Sequence, residues 1–340
     1  MKNQPRLPDH LGRIMIEESK MAEKEVLFRQ ALIDYPEHEA ELLNLLMIVL
    51  ACQEKNQECI DVCEQLRVFI PDDTDEISNI YLYEGKRYVD LEQEDKAIEC
   101  FYKSIECDNS YFGIAETVGE LADIYKERLD WENVIKAYDF ITGDEKYDKW
   151  DQTDKYFQQG YAYSMIKEFE KAIECYDKYL EIEPEDIAVI SNLGAMYGNL
   201  NNWDKAIELF NSILKIKPED EQAYYSIGVA YNGKGDYLMA MHNYLEALRI
   251  KPDYLAALNN FGAITANDLG NVQEGIDLLE KALELAKDDD PYKGFLILNL
   301  CKINNHLTNF DRAEYYQQKL LNLIGFEMTE EGDEEDDEEE

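Results

Sequence analysis

Asn192 and Asn199 stand seven residues apart, and Asn260 and Asn267 repeat that pair 68 residues later. Each pair brackets an alanine, Ala195 or Ala263, at i, i+3, i+7 spacing, so each trio lies along one side of a helix. Ser226, Val229 and Gly233 form the trio midway between them, Gln158, Tyr161 and Met165 precede the set, and Asn299 follows it. An amide side chain both donates and accepts, so asparagines at fixed spacing can bond successive peptide groups of an extended chain without selecting its side chains. Alanine and glycine between them let a ligand backbone come close. Asn259 adds a further amide, and Tyr161 and Tyr225 offer hydrophobic anchors on the same side. The candidate peptide-binding residues are therefore Gln158, Tyr161, Asn192, Asn199, Tyr225, Ser226, Asn259, Asn260, Asn267 and Asn299. The competing reading is that these amides only solvate their helices.

Other chemistries find less support. Cys59 and Cys63 share the four-residue spacing of metal ligands on a helix, but they occupy the small and aromatic places of a repeat, which assigns them to core packing. His10, His38, His242 and His306 are scattered without ligand spacing, so no metal site is expected. Gly113, Gly119 and Gly143 form no phosphate-cradling loop, and with 74 acidic residues no pair of carboxylates stands out as acid and base. Neither an enzyme nor a cofactor is expected.

The elements that must position the amides follow from a period of 34 residues. Glycine recurs at 160, 194, 228 and 262, alanine at 172, 206 and 240, and proline at 184, 218 and 252. In residues 187–220, Leu193, Gly194 and Tyr197 mark one helix and Asn201-Asn202 a turn. Ala206, Leu209, Phe210 and Ile213 then mark a second helix, which Pro218 ends. Glycine and alanine are small where the two helices cross closely, and aromatics fill the volume alongside. Residues 255–288 keep this frame with one extra residue near Leu269-Gly270, which brings Gly275 to the alanine place. Weaker units are expected at 40–73, 78–111, 115–148 and 294–327, eight in all. The poorest, 115–148, is flanked by short insertions, so the stacking is expected to shift within 112–152.

This pattern resembles the tetratricopeptide repeat (TPR) family. The residues that carry the likeness are Gly160, Tyr163, Ala172, Tyr176 and Pro184, and again Gly228, Tyr231, Ala240, Tyr244, Ala247 and Pro252. The resemblance implies an all-α, right-handed α-solenoid of helix-turn-helix units whose first helices line a concave surface where extended peptides lie. The amide strip then looks like the asparagine-lined TPR superhelix of O-GlcNAc transferases, although no glycosyltransferase domain follows in this chain. The carboxylate clamp that other TPR proteins use for chaperone tails needs Lys and Arg in this strip, and the regular repeats have none. The expected organisation is an N-terminal helical cap or degenerate repeat at 1–39, degenerate units at 40–148, regular units at 153–288, a capping unit at 294–326 and a disordered acidic tail at 327–340.

The formal net charge is −41, of which 11 negative charges fall in residues 327–340 and about −30 in the rest. Such a surface repels nucleic-acid phosphates and anionic lipid and speeds encounters with basic proteins. The tail reads either as a solubilising terminus or as a docking strip for a basic partner. Glu116, Glu120, Asp123 and Glu127 fall on the inner face of the degenerate unit, where a basic segment of a ligand could lie. The odd number of cysteines, seven, fits a reducing compartment, Met1–His10 is polar, and no apolar run approaches the ~20 residues that span a bilayer. The expected protein is a cytoplasmic, non-catalytic adaptor or scaffold that binds an extended, basic peptide segment. The alternative is an acidic chaperone or buffer for a basic protein.

Overall fold

The structure is a computed structural model that describes residues 20–70, 74–107, 111–141, 149–287 and 289–323. These residues form seventeen α-helices, with no strand among them. The acidic run 327–340 and the start of the N-terminal cap lie outside the described residues. Helix α1 (Met21–Asp34) is followed by eight helical hairpins: α2 (Glu39–Cys52) with α3 (Asn56–Arg67), α4 (Thr74–Asp90) with α5 (Glu94–Cys107), α6 (Tyr111–Glu127) with α7 (Trp131–Asp139) and α8 (Lys149–Met165) with α9 (Phe169–Ile182). The remaining four are α10 (Ile187–Asn199) with α11 (Trp203–Ile216), α12 (Glu221–Lys234) with α13 (Tyr237–Ile250), α14 (Leu255–Asn267) with α15 (Val272–Leu285) and α16 (Tyr292–His306) with α17 (Phe310–Leu323). The chain is an all-α solenoid divided into two compact units, Met1–Pro184 and Glu185–Glu340.

Within a hairpin the periodic glycine does what its smallness allows. A β-carbon built on Gly228 would stand 2.6 Å from the Tyr244 ring, and the same clash at 2.5 to 2.7 Å pairs Gly85 with Phe101, Gly160 with Tyr176 and Gly194 with Phe210. In each case the ring belongs to the residue sixteen positions on. The large side chain of the second helix therefore lies flat on the backbone of the first, and Tyr176, Tyr244 and Phe101 are essentially without exposed surface.

Every hairpin turn holds one residue with a left-handed backbone: Glu54, Glu92, Leu129, Lys167, Asn201, Gly235, Gly270 and Thr308. The next amide reaches back five residues to close the helix end, as in Asp130 N to Tyr125 O at 2.8 Å and Glu168 N to Tyr163 O at 2.9 Å. The α14–α15 turn is one residue longer, and there the bond spans six, from Asn271 N to Thr265 O at 2.9 Å. Leu129 is 69% exposed and sits at φ 57°, so its side chain contributes little packing while its backbone carries the left-handed cost. Leu129→Asn is expected to raise stability by about 1 kcal/mol, because asparagine tolerates this region. A thermal melt that shows no rise refutes this account of the turn.

In the first unit α1 is clamped to its neighbours through a nearly buried carboxylate. Glu25 accepts from Lys55 at 2.7 Å, Gln53 at 3.1 Å and Arg29 at 3.0 Å. The Lys55 ammonium, reinforced by the other two donors, holds the carboxyl below its ordinary range against the opposing effect of burial. Between α4, α5 and α6 the core is partly polar: the Ser104 hydroxyl lies 3.0 Å from that of Ser78 and 3.2 Å from that of Thr117, and all three residues are buried.

Candidate peptide-binding face

In the second unit the first helices of successive hairpins touch directly, α12 with α14 and α14 with α16. Tyr225, Asn259, Asn260 and Asn299 lie on these three helices and bond to one another, whereas Asn192 and Asn199 lie on α10. Asn299 Nδ2 on α16 donates to Asn259 Oδ1 at 2.8 Å, Asn259 Nδ2 donates to Asn260 Oδ1 at 3.2 Å, and Asn260 Nδ2 donates to the Tyr225 hydroxyl at 3.2 Å. The result is one hydrogen-bonded run across three helices.

The run is uneven in exposure. Asn259 is buried, at 8% exposure, so it connects its neighbours more than it offers itself to a ligand. Asn192, Tyr225, Ser226, Asn260 and Asn299 are half-buried, and Asn199 and Asn267 are exposed. Tyr225 packs its ring on Tyr254 at 5.2 Å and near Tyr244 at 5.9 Å, and burial raises its hydroxyl above the usual phenol range. The space left by the missing side chain of Gly233 is taken by Trp203, whose ring would stand 2.7 Å from a β-carbon there.

Sequence reasoning missed what lies behind the amides. The buried Tyr244 hydroxyl has no hydrogen-bond partner in this geometry, although Asn260 stands beside it with its amide engaged by Tyr225 and Asn259. In the first unit the corresponding tyrosine, Tyr138, donates to Asp154 at 2.9 Å. A tyrosine in the second helix and a polar residue in the next first helix are thus neighbours, a pairing 16 residues long that a search for helical faces does not detect.

The remaining candidates belong to the first unit. Gln158 donates to Asp154 at 3.1 Å, and Tyr161 stacks edge-on against Trp131 at 5.5 Å. The acidic face of α6 is partly neutralised, because Lys86 pairs with Glu116 at 2.7 Å and Glu120 at 3.0 Å and Lys126 with Asp123 at 3.0 Å. Cys59 and Cys63 are fully buried side by side, and the Cys59 thiol donates to the Met47 carbonyl at 3.5 Å. Burial pushes the Cys100 thiol up to about 12 and that of Cys175 up to about 11. No group of three or more metal-ligating side chains occurs among the described residues. No helix among them is long and apolar enough to cross a membrane.

Family models described as Tetratricopeptide repeat match residues 154–186 and 221–254. The chain contains tetratricopeptide repeats. Among solved structures, a tetratricopeptide repeat protein from Parabacteroides merdae is 15% identical over 72% of this chain and 93% of that one, with a TM-score of 0.56, a likeness of fold. MamA from Desulfovibrio magneticus RS-1 is 19% identical over 52% of this chain and 97% of its own, with a TM-score of 0.46. YrrB, described as a TPR protein with an unusual peptide-binding site, is 18% identical over 57% and 95%, also at 0.46. No curated protein sequence matches this TPR chain.

Proposed function

We propose that this TPR protein is a non-catalytic adaptor that holds an extended segment of another protein on the first-helix face of its second unit. The observation that carries the reading is the hydrogen-bonded run Asn299–Asn259–Asn260–Tyr225. A peptide main chain presents the same donors and acceptors that these amides present to each other, so exchanging one set for the other leaves few groups unsatisfied. Ala195 and Ala263 keep the surface low enough for backbone approach. A preference for basic residues would come from the net charge of −41. A cytoplasmic site of action fits seven cysteines that are all free thiols.

The reading is tested by panning a library of random peptides against the wild-type protein and the Asn192→Ala/Asn260→Ala double variant at low and moderate salt. Enrichment of a motif that survives salt and disappears in the variant is the expected result. The net charge favours a second reading, an acidic chaperone or buffer for a basic protein. Polybasic peptides captured equally by both proteins, and only at low salt, would support it and refute the amide face.

A further inference from the structure

The strip of amides in the second unit ends beside a notch of about 390 Å³ between the α13–α14 and α15–α16 connections. Its walls are Tyr254, Leu255, Ala256, Leu285 and Tyr292, and its rim carries Lys251 and Lys287. The Tyr254 hydroxyl donates to Gln222 and its ring packs on Tyr225, while Tyr292 packs on Phe295 at 6.3 Å. Leu285, Tyr292 and Phe295 are nevertheless exposed, which leaves an apolar surface with nothing of the described chain upon it.

The charges of the rim distinguish this notch from its counterpart one repeat earlier. There Lys217 pairs with Asp220 at 2.9 Å. Thirty-four residues on, Lys251 stands in the lysine place but Tyr254 has replaced the aspartate, and the ammonium lies 5.2 Å from the centre of that ring instead. Lys287 is exposed and, like Lys251, makes no ion pair among the described residues. Two carboxylates also line the notch, Asp253 and Asp290; Asp290 accepts from Tyr292 N at 2.8 Å, and neither forms an ion pair with Lys251 or Lys287 among the described residues. In a chain with 74 acidic and 33 basic residues, two lysines left without an ion-pair partner beside an exposed aromatic wall are unusual, even with Asp253 and Asp290 in the same lining.

Building on the proposed peptide-binding face, we infer that the bound segment, basic elsewhere along its length, places one large apolar side chain in this notch, with a single adjacent carboxylate held locally by Lys251 and Lys287. The apolar wall supplies the anchor, and the cation over Tyr254 keeps its ring contact while it gains the anionic partner that Asp220 provides to Lys217.

The test uses three dye-labelled, N-acetylated heptapeptides that share Gly-Ser and Ser-Gly ends and differ in the central triplet: Asp-Phe-Asp, Lys-Phe-Lys or Asp-Ala-Asp. Fluorescence polarisation with the full chain is expected to rank Asp-Phe-Asp at least about tenfold tighter than either other peptide. Tyr292→Ala should weaken it by roughly tenfold, and the Lys251→Glu/Lys287→Glu variant should invert the preference between acidic and basic flanks. Circular dichroism melts confirm that the variants fold. Equal binding of all three peptides, lost in Asn192→Ala/Asn260→Ala, overturns the notch and leaves the amide face standing. Preference for Lys-Phe-Lys overturns the assigned charge. Binding seen only after removal of residues 327–340 makes the chain's own acidic run the occupant and removes a partner segment from it. Binding of none overturns both readings.

Discussion

A single methyl group added at Gly275 is expected to destabilise the second unit by about 2 kcal/mol, although the same change at Gly119 is expected to stabilise its helix by about 1 kcal/mol. Both glycines lie inside helices, so each substitution removes the backbone-entropy disadvantage of glycine, worth about 1 kcal/mol. They differ in what the methyl meets. Nothing lies within 4 Å of a β-carbon built at Gly119. At Gly275 it would stand 2.6 Å from the Gly262 carbonyl oxygen, 2.7 Å from the Ala266 backbone nitrogen and 2.6 Å from the Ala266 β-carbon. A flexible side chain can turn away, but these atoms belong to the backbone of α14 or sit one bond from it, so the helices themselves must part. Overpacking of about 3 kcal/mol then outweighs the propensity gain. Paired thermal or chemical melts of Gly275→Ala and Gly119→Ala decide the matter, and equal shifts of the same sign would show that the close crossing of α14 and α15 is not the cause.

The same crossing shows which parts of the fold are legible in the sequence. The 34-residue glycine period reports a place where a ring must lie against bare backbone, and in four hairpins that ring is found sixteen residues ahead. The extra residue near Leu269-Gly270 signals that α15 is displaced by one position. The longer Asn271 to Thr265 bond and the meeting of Gly262 with Gly275 are its structural expression. The turns are legible only at Asn201, Gly235 and Gly270. Glu54, Glu92, Leu129, Lys167 and Thr308 adopt the same left-handed backbone without a residue that favours it, because closing the helix end imposes the conformation whatever the side chain.

Legibility is lower at the candidate site for a related reason. Spacing identifies which residues share a helix face, and it placed Asn260 and Asn299 on one strip. It carries no information on whether an amide is offered to solvent or to a neighbour 40 residues away, as Asn299 is to Asn259. The notch at Tyr254 and Tyr292 is likewise absent from any single-helix pattern, because its walls come from two connections. Nor did a periodic signal reveal Glu84, a carboxylate at a place where the regular repeats carry Gln159, Leu193, Ile227 and Phe261.

Replacing Arg67 with methionine is expected to cost the first unit about 3 to 5 kcal/mol at pH 7, whereas the Arg67→Met/Glu84→Leu double variant should stay close to wild type. Arg67 at the end of α3 pairs with Glu84 on α4, with side-chain exposures of 23% and 5%. Burial raises the Glu84 carboxyl above its ordinary range, and Arg67 opposes that rise. A carboxyl with a raised folded-state value contributes its full stability below its unfolded value, near 4.5, and loses that contribution as pH climbs through the folded value. Without Arg67 the folded value moves further up, so the penalty for an ionised Glu84 is largest at neutral pH and fades toward pH 5. The neighbouring cation cannot take over easily, since Lys103 is engaged with Glu99 at 2.6 Å, and Glu64 pushes Glu84 in the same direction as burial. The double variant removes both charges and exchanges them for apolar packing, which leaves nothing to titrate. Denaturant melts of the three proteins between pH 5 and pH 7 separate this account from simple loss of arginine packing: a deficit in Arg67→Met that does not change with pH would mean that the buried carboxylate is not what the arginine stabilises.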